Sequence, residues 1–250
     1  MAVITEIAVQ SIQVLLVALA APLLTGIVRK LKAHLMRRQG PSIVQPYRNL
    51  VRLFRKEAVL APNASWLFRA IPFLVFAFTW VAAALVPAYA VDLPFAYGAD
   101  FIAVVALLGS ARFFLALAGL DIGTSFGGIG ASREVMIASL AEPAMLMIVF
   151  SLALIAGTTN LSALSHFMAG TLTLRASLAL ALVGFIMVAI AENARIPIDN
   201  PATHLELTMV HEAMVLEYSG RHLALIEWAA SLKLLLYVSL LAAVFAPWGM

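Results

Sequence analysis

The sequence predicts an all-α integral membrane protein with about six transmembrane helices and one amphipathic helix at the membrane surface. Of the 250 residues, 63% are hydrophobic and only 12% are charged, whereas soluble domains have roughly 45–50% apolar and ~25% charged residues. Six stretches also supply the roughly 20 apolar residues that a helix needs to cross the ~30 Å hydrocarbon layer. Helices are expected because lipid offers backbone groups no hydrogen-bond partners.

The six predicted helices form a single membrane domain over residues 1–250. The chain has neither a basic region at its start nor a signal-cleavage site, so we interpret its first apolar stretch as a membrane helix. The predicted helices cover about residues 3–28, 67–90, 101–120, 135–157, 174–191 and 223–246.

Basic residues indicate how these helices cross the membrane. Nine of the sixteen lysines and arginines lie between the first two helices and a tenth, Arg69, lies at the start of the second, while segments 87–100 and 158–173 contain none. Because cytoplasmic loops are enriched in basic residues, we place loops 29–66, 121–134 and 192–222 in the cytoplasm. Both chain ends then lie on the outer side.

The first cytoplasmic loop contains apolar residues at helical spacing, from Ile43 to Phe54, with polar residues on the opposite side. This pattern predicts an amphipathic helix in the membrane interface. It is either a surface helix held by anionic lipid or a docking and ligand-entrance helix. Its candidate contact residues are Arg48, Arg52, Lys56 and Glu57.

Three charged residues lie well inside predicted membrane helices, away from the helix ends, where charge is costly and usually functional. Arg112 lies eight residues before Leu120, and Glu142 eight residues after Glu134. At 1.5 Å per residue, both lie roughly 12 Å below the cytoplasmic surface, and Lys233 lies about 15 Å below it. We interpret them as a buried layer that carries or couples protons. The alternative is a static Arg–Glu pair that fixes helix packing.

The loop 192–222 is acidic on the side of the membrane where basic residues normally gather. It therefore either docks a partner, relays protons or is a solvated surface. A metal site is disfavoured because its histidines lack the HExxH spacing. We interpret the glycine-rich stretch 123–130 as a tight cytoplasmic turn, because it follows no strand as a nucleotide-binding loop would. Nothing in the sequence supports nucleic-acid binding.

Several motifs resemble subunit 1 of respiratory complex I and its hydrogenase relatives. The loop has Ala191-Glu192, Arg195, Pro197, Asp199 and Glu217-Tyr218-Ser219, in the order of that family's AE-x-N-R-x-P-F-D and E-Y-S motifs. The finer resemblance is to hydrogenase-4 component C and formate hydrogenlyase subunit 4. Motifs that support this branch are Ala111-Arg112-Phe113-Phe114, Gly130-Ala131-Ser132-Arg133-Glu134, Ser231-Leu232-Lys233 and Pro247-Trp248-Gly249.

The resemblance implies a membrane anchor and ion-coupling subunit of a group 4 nickel–iron hydrogenase, which performs no bond chemistry alone. It implies a prokaryotic inner-membrane location, with large and small hydrogenase subunits, iron–sulfur proteins and antiporter-like membrane subunits as partners. The metal centres would belong to those partners, in agreement with the absence of cysteine here. The residues expected to couple protons or ions are Arg112, Glu142, Glu192 and Lys233. The residues expected to dock partners are Arg133, Arg195, Asp199, Glu206, Glu212 and Glu217.

Departures from the family pattern keep two alternatives open. Ala202 and His204 replace two family glutamates, and about three residues are inserted before Glu217, which disfavours a quinone-facing role. The alternatives are the quinone-site subunit of a complex I-like NADH dehydrogenase and a stand-alone ion transporter. The family usually has eight membrane helices, so we expect six here to reflect either a truncated chain or a shorter variant.

Overall fold

The computed structural model describes residues 2–87, 98–170, 176–199 and 210–246, with side chains from Ile7 onward. Every regular element in these ranges is a helix, which confirms the predicted fold class. The helices are α1 (Ala2–Leu35), α2 (Gln45–Phe54), α3 (Trp66–Leu85), α4 (Phe101–Asp121), α5 (Ser125–Ala156), α6 (Leu161–Gly170), α7 (Ala176–Glu192), α8 (His211–Val215) and α9 (Gly220–Phe245).

Five of these helices, α1, α3, α4, α5 and α9, are long and apolar enough to cross a membrane, and α7 is a shorter apolar helix of 17 residues. Together they confirm the prediction of about six spans. Large apolar side chains point outward, as at Leu154 (86% exposed) and Leu180 (73%). Such exposure is expected of surfaces that contact lipid rather than water.

Helix α4 packs against both α3 and α5. Helix α9 closes the bundle against α3 and α1, and α7 packs on α5. Small residues let the neighbours of α4 approach closely, and Ala111, Ala116 and Ala118 are all buried. Consequently a charged side chain on α4 is enclosed by protein rather than by lipid.

Helix α5 begins at Ser125, whereas the sequence predicted a helix from Val135 after a loop and a glycine-rich turn. Thr124 caps the helix, since its hydroxyl oxygen accepts a hydrogen bond from the Gly127 backbone N–H at 3.2 Å. A side chain at Gly127 would overlap the Gly119 carbonyl of α4. The glycines therefore serve close packing inside a helix, and the predicted loop 121–134 shrinks to the link between Asp121 and Ser125.

The segment 158–173, predicted to be an outer loop, contains helix α6. The Asn160 side-chain oxygen accepts hydrogen bonds from the backbone N–H groups of Ser162 and Ala163, both at 3.1 Å. The Phe101 N–H donates to the Thr159 carbonyl at 3.0 Å, which ties α6 to the start of α4. Pattern reasoning missed this helix because ten residues are too few to span a bilayer.

The predicted amphipathic helix in the first loop is confirmed as α2. The hydroxyl of Tyr47 donates a hydrogen bond to the Leu19 carbonyl of α1, and Phe54 contacts Trp228 of α9 edge to face. Burial raises the pKa of Tyr47, against the smaller lowering effect of a hydrogen bond with the Leu23 backbone. Helix α2 is thus packed on two membrane helices, while Arg48 and Arg52 stay exposed.

Candidate functional site

A buried guanidinium organises the centre of the bundle. Arg112 of α4 is only 4% exposed. Its Nε lies 2.5 Å from Glu134 Oε1 of α5, and its Nη1 lies 2.5 Å from Glu192 Oε1 of α7. Two carboxylates therefore pair with two of the three guanidinium nitrogens of a cation that would otherwise be costly to bury. The third nitrogen, Nη2, has no partner among the described residues.

The pairing of Arg112 with Glu134 follows from the α4–α5 hairpin. Arg112 lies nine residues before the end of α4 at Asp121, and Glu134 lies nine residues after the start of α5 at Ser125. At 1.5 Å per residue both are roughly 13 Å from the turn. The same depth argument, applied to a helix starting at Val135, had selected Glu142 instead.

Glu192 joins Arg112 to a second cation. Its Oε2 lies 3.5 Å from Lys233 Nζ of α9, while its Oε1 faces Arg112. Glu192 is the last residue of α7 and is 7% exposed. The ion-pair network, defined here as Arg112, Glu134, Glu192 and Lys233, therefore links four different helices.

Glu142 does not join this network by a direct ion pair, although the sequence placed it in one layer with Arg112 and Lys233. It is half-buried and faces Gly109 of α4, where an added Cβ would lie 3.4 Å from its Oε1. It remains within electrostatic range of Arg112, Glu134 and Glu192. Glu142 thus adds a third carboxyl group near Arg112 without a direct ion pair to a cation.

A cavity of about 180 Å³, termed here the core cavity, adjoins the network. At roughly 30 Å³ per water molecule it has room for about six. Its walls mix apolar residues such as Leu108 and Ile226 with many polar groups. The polar and charged lining residues are Thr25, Arg29, Thr79, Arg112, Glu134, Glu192, Asn193, Arg195, Asp199, His211, Glu212, Glu227, Ser231 and Lys233.

Asp199 positions one wall of the core cavity. It is 2% exposed, and its Oδ2 accepts hydrogen bonds from the backbone N–H groups of Val210 (3.3 Å) and His211 (3.1 Å). It thereby holds the start of α8, and His211 lines the cavity. Burial lowers the pKa of His211, and the charge of Lys233 lowers it further, against smaller opposing effects from Glu134, Glu212 and Glu227. His211 is accordingly neutral at pH 7.

The remaining predicted docking residues occupy different environments. Arg195 and Glu212 are exposed and border the core cavity, whereas Arg133 and Glu217 are half-buried. Glu206 lies outside the described residues. Arg48, Arg52, Lys56 and Glu57 are all exposed. The docking role of all these residues stays a prediction.

Sequence reasoning missed three members of this site. Glu134 was treated as a helix boundary, although Thr124 and the small residues after it could have signalled an earlier start for α5. His211 was considered only as a metal ligand; among the described residues no three metal-ligating side chains come together. Tyr237, buried one turn beyond Lys233, lies within electrostatic range of Glu192, Arg112 and Glu142, and no sequence signal separates it from an ordinary core tyrosine.

Comparisons with known proteins place the chain among membrane subunits of redox complexes. The family model described as NADH dehydrogenase matches residues 7–249. Hydrogenase-4 component C of Escherichia coli (strain K12) is 36% identical over 95% of this chain and 74% of its own length. Formate hydrogenlyase subunit 4 of the same organism is 35% identical over 95% of this chain and 77% of its own length.

More distant similarities extend to respiratory enzymes. NADH-ubiquinone oxidoreductase chain 1 of Hyaloraphidium curvatum is 27% identical over 77% of this chain and 67% of its own length. A chain of the membrane-bound sulfane sulfur reductase, an archaeal respiratory membrane complex, superimposes with a TM-score of 0.78. The match covers 98% of this chain and 79% of that one at 20% identity, so it supports the fold alone.

Proposed function

This chain belongs to the NADH dehydrogenase subunit 1 family, and we propose that it is the membrane anchor and ion-coupling subunit of a group 4 nickel–iron hydrogenase complex. The two relatives at 36% and 35% identity are a hydrogenase-4 component and a formate hydrogenlyase subunit, which favours the hydrogenase branch. The main basic loop would face the cytoplasm of a prokaryote, and the chain would perform no bond chemistry alone.

The observation that carries the proposal is the ion-pair network, with a further carboxyl group, Glu142, beside it. Glu192 holds both Arg112 and Lys233, so a proton that arrives on Glu192 weakens two ion pairs at once. Two unit charges about 4 Å apart interact by about 4 kcal/mol at an effective dielectric constant of 20. A charge change of that size next to the network alters a protonation equilibrium by roughly a thousandfold.

The core cavity supplies the route by which the network would sense a partner. Exposed Arg195 and Glu212 border it, and neutral His211 lines it together with the buried charges. Redox partners docked over this opening would change charge during turnover. That change would shift Arg112 between its two carboxylates and move a proton among Glu134, Glu142 and Glu192.

Cofactors and further partners follow from this assignment. Nickel–iron and iron–sulfur centres would be held by the soluble large and small subunits and by iron–sulfur proteins, and antiporter-like membrane subunits would complete the ion path. The chain contains no cysteine, the residue that holds such clusters.

A quinone-site subunit of a complex I-like enzyme is the second candidate, favoured by the relative named NADH-ubiquinone oxidoreductase chain 1. The core cavity weighs against it, since its volume of about 180 Å³ is below the ≈ 300–1,000 Å³ of typical small-molecule sites. A stand-alone transporter is disfavoured by the family assignment.

The test uses the intact complex, purified through a tag on this chain and reconstituted into vesicles. In Glu192→Gln we expect hydrogen oxidation with a soluble dye to stay within about twofold, because the metal centres are elsewhere. Proton movement driven by the physiological reaction should fall by at least tenfold, because the shared carboxylate is gone. Both rates are measured on the same preparation, by dye reduction and by a pH-sensitive fluorophore inside the vesicles.

Ser151→Ala is the matched control, because its hydroxyl is exposed on the lipid-facing side and bonds only the Met147 carbonyl of its own helix. It should alter neither rate. Unchanged proton movement in Glu192→Gln would refute the coupling role. Co-purification of quinone-reductase subunits instead of hydrogenase subunits would move the assignment to the second candidate.

A further inference from the structure

A second cavity lies at the cytoplasmic end of α1, apart from the ion-pair network. Its volume is about 590 Å³, and we term it the hairpin cavity. One wall is the last part of α1 and the other is the segment that returns along it. Its lining residues are Ile27, Lys30, Leu31, His34, Arg38, Gln39, Gly40 and Ile43.

The two walls are held together by a tight reversal of the chain. Arg37 adopts a left-handed backbone conformation (φ 54°), and the Arg38 N–H donates to the Ala33 carbonyl at 2.9 Å. Two glycines allow the returning segment to lie against the helix: a side chain at Gly26 would overlap the Ile43 carbonyl, and one at Gly40 would collide with Ala33. The cavity is therefore a product of backbone packing rather than of surface side chains alone.

The chemistry of the lining is divided between cations and apolar groups. Lys30 and His34 lie one turn apart on the same side of α1, and Arg38, which follows the reversal, lines the same cavity. Ile27, Leu31 and Ile43 supply the apolar part, and no lining residue is acidic. None of the three basic residues has an ion-pair partner within the described ranges.

The position of the cavity matches the layer of lipid headgroups. The predicted membrane crossing of α1 ends near Val28, and His34 lies six residues, or roughly 9 Å, beyond it. Each headgroup layer is roughly 5–8 Å thick. Lys30 thus lies within the headgroup layer and His34 at its outer edge, while Ile27 and Leu31, which are 44% and 57% exposed, continue the lipid-facing side of the helix.

We propose that the hairpin cavity is a specific binding site for an anionic phospholipid, with its phosphate held by Lys30, His34 and Arg38 and the start of an acyl chain against Ile27 and Leu31. A cytoplasmic phosphate compound would gain nothing from the apolar wall, and an acidic protein surface would not need a concave site at headgroup depth. Clustered basic residues next to a membrane helix are typical of anionic-lipid recognition.

The experiment titrates phosphatidylglycerol or phosphatidylcholine, both with dioleoyl chains, into the detergent-purified complex and counts bound lipids by native mass spectrometry. The wild type should bind phosphatidylglycerol in preference. Lys30→Gln/Arg38→Gln should weaken that binding by roughly 30-fold, at about fivefold for each lost charge. The variant Lys30→Arg/Arg38→Lys retains both charges and should retain most of the affinity, which separates lost recognition from misfolding.

Lys32→Gln/Arg37→Gln is the matched control, because it removes the same charge from exposed positions of the same hairpin that do not line the cavity. Its affinity should stay within about twofold of the wild type. Equal weakening in both double variants would overturn the proposal in favour of diffuse electrostatic attraction. Equal binding of phosphatidylcholine would also overturn it, as would intact lipid binding with loss of the soluble subunits, which would make the cavity a protein-docking surface.

Discussion

The molecule places its charges in two contrasting regions, the ion-pair network and the basic first loop. In the network, Arg112 and Glu192 are almost fully buried and each contacts two partners of opposite charge. In the first loop, Arg48 and Arg52 are exposed and have no ion-pair partner among the described residues. Buried charges survive only when other charges compensate them, whereas exposed ones are stabilised by water and headgroups. Removing a charge should therefore have a large effect in the network and a small effect in the first loop.

The largest effect is expected at Arg112. Arg112→Leu leaves Glu134 and Glu192 buried without their shared cation, and breaking such a buried pair costs about 3–5 kcal/mol. We expect little assembled complex, measured as the yield of intact complex after detergent extraction and gel filtration. Arg112→Lys keeps the charge without the two-sided geometry and should give an intermediate yield. A normal yield of Arg112→Leu would show that the network contributes nothing to assembly.

A second, smaller effect tests the packing that brings the network together. Gly127→Val should destabilise the chain by about 1–3 kcal/mol, because its side chain would overlap the Gly119 carbonyl. Thermal unfolding in detergent measures the change. Gly128→Ala is the matched control, since no atom lies within 4 Å of its added Cβ, and it should stabilise the helix by up to ~1 kcal/mol. Equal effects of the two variants would favour the turn that the sequence had predicted for this stretch.

The glycine-rich stretch also explains why the fold was more predictable than the site. Transmembrane helices depend on the amount of apolar surface, which composition and run length report directly. The partner of Arg112 depends on the residue where α5 begins, and that start is fixed by the Thr124 cap and by contacts with Gly119. The sequence pattern predicts a start at Val135, and with that start Glu142, rather than the observed Glu134, becomes the partner of Arg112.

Asp199 illustrates the other limit of sequence reasoning. Asp199 and Glu212 lie in the same acidic loop, and the sequence analysis predicts partner docking for both. The structure buries Asp199 as the anchor of α8 and leaves Glu212 exposed. Only tertiary packing separates the two, because the hydrogen bonds of Asp199 go to residues 11 and 12 positions later.

A pH-dependent effect of intermediate size is expected at His211, which lies beside the network and is itself neutral at pH 7. Its pKa is lowered by burial and by Lys233, so the unfolded segment binds a proton more readily than the folded one. The stability of α8 should therefore be independent of pH above about 6.5 and fall below it, by at most about 1.4 kcal/mol per pH unit. Protease cleavage within residues 200–215, compared at pH 7.5 and 5.5, measures this.

His211→Gln should abolish that pH dependence, because glutamine does not titrate. His222 lies at the start of α9, where its ring contacts Phe73 and Tyr218 edge to face. His222→Gln is therefore the control and should leave the α8 cleavage profile unchanged. Cleavage that rises equally at pH 5.5 in the wild type and in His211→Gln would assign the sensitivity to other groups.

The smallest effect is expected in the basic first loop and completes the comparison. Arg52→Gln removes an exposed charge from α2, and such surface substitutions usually change stability by less than about 0.5 kcal/mol. Thermal unfolding of the purified complex should not resolve it from the wild type, and added salt should reduce any difference further, because exposed charges are screened. A loss comparable to that of Arg112→Leu would mean that a partner subunit buries Arg52 in the complex. The exposed loop would then follow the same rule as the network, and α2 would be a docking helix rather than a lipid-held one.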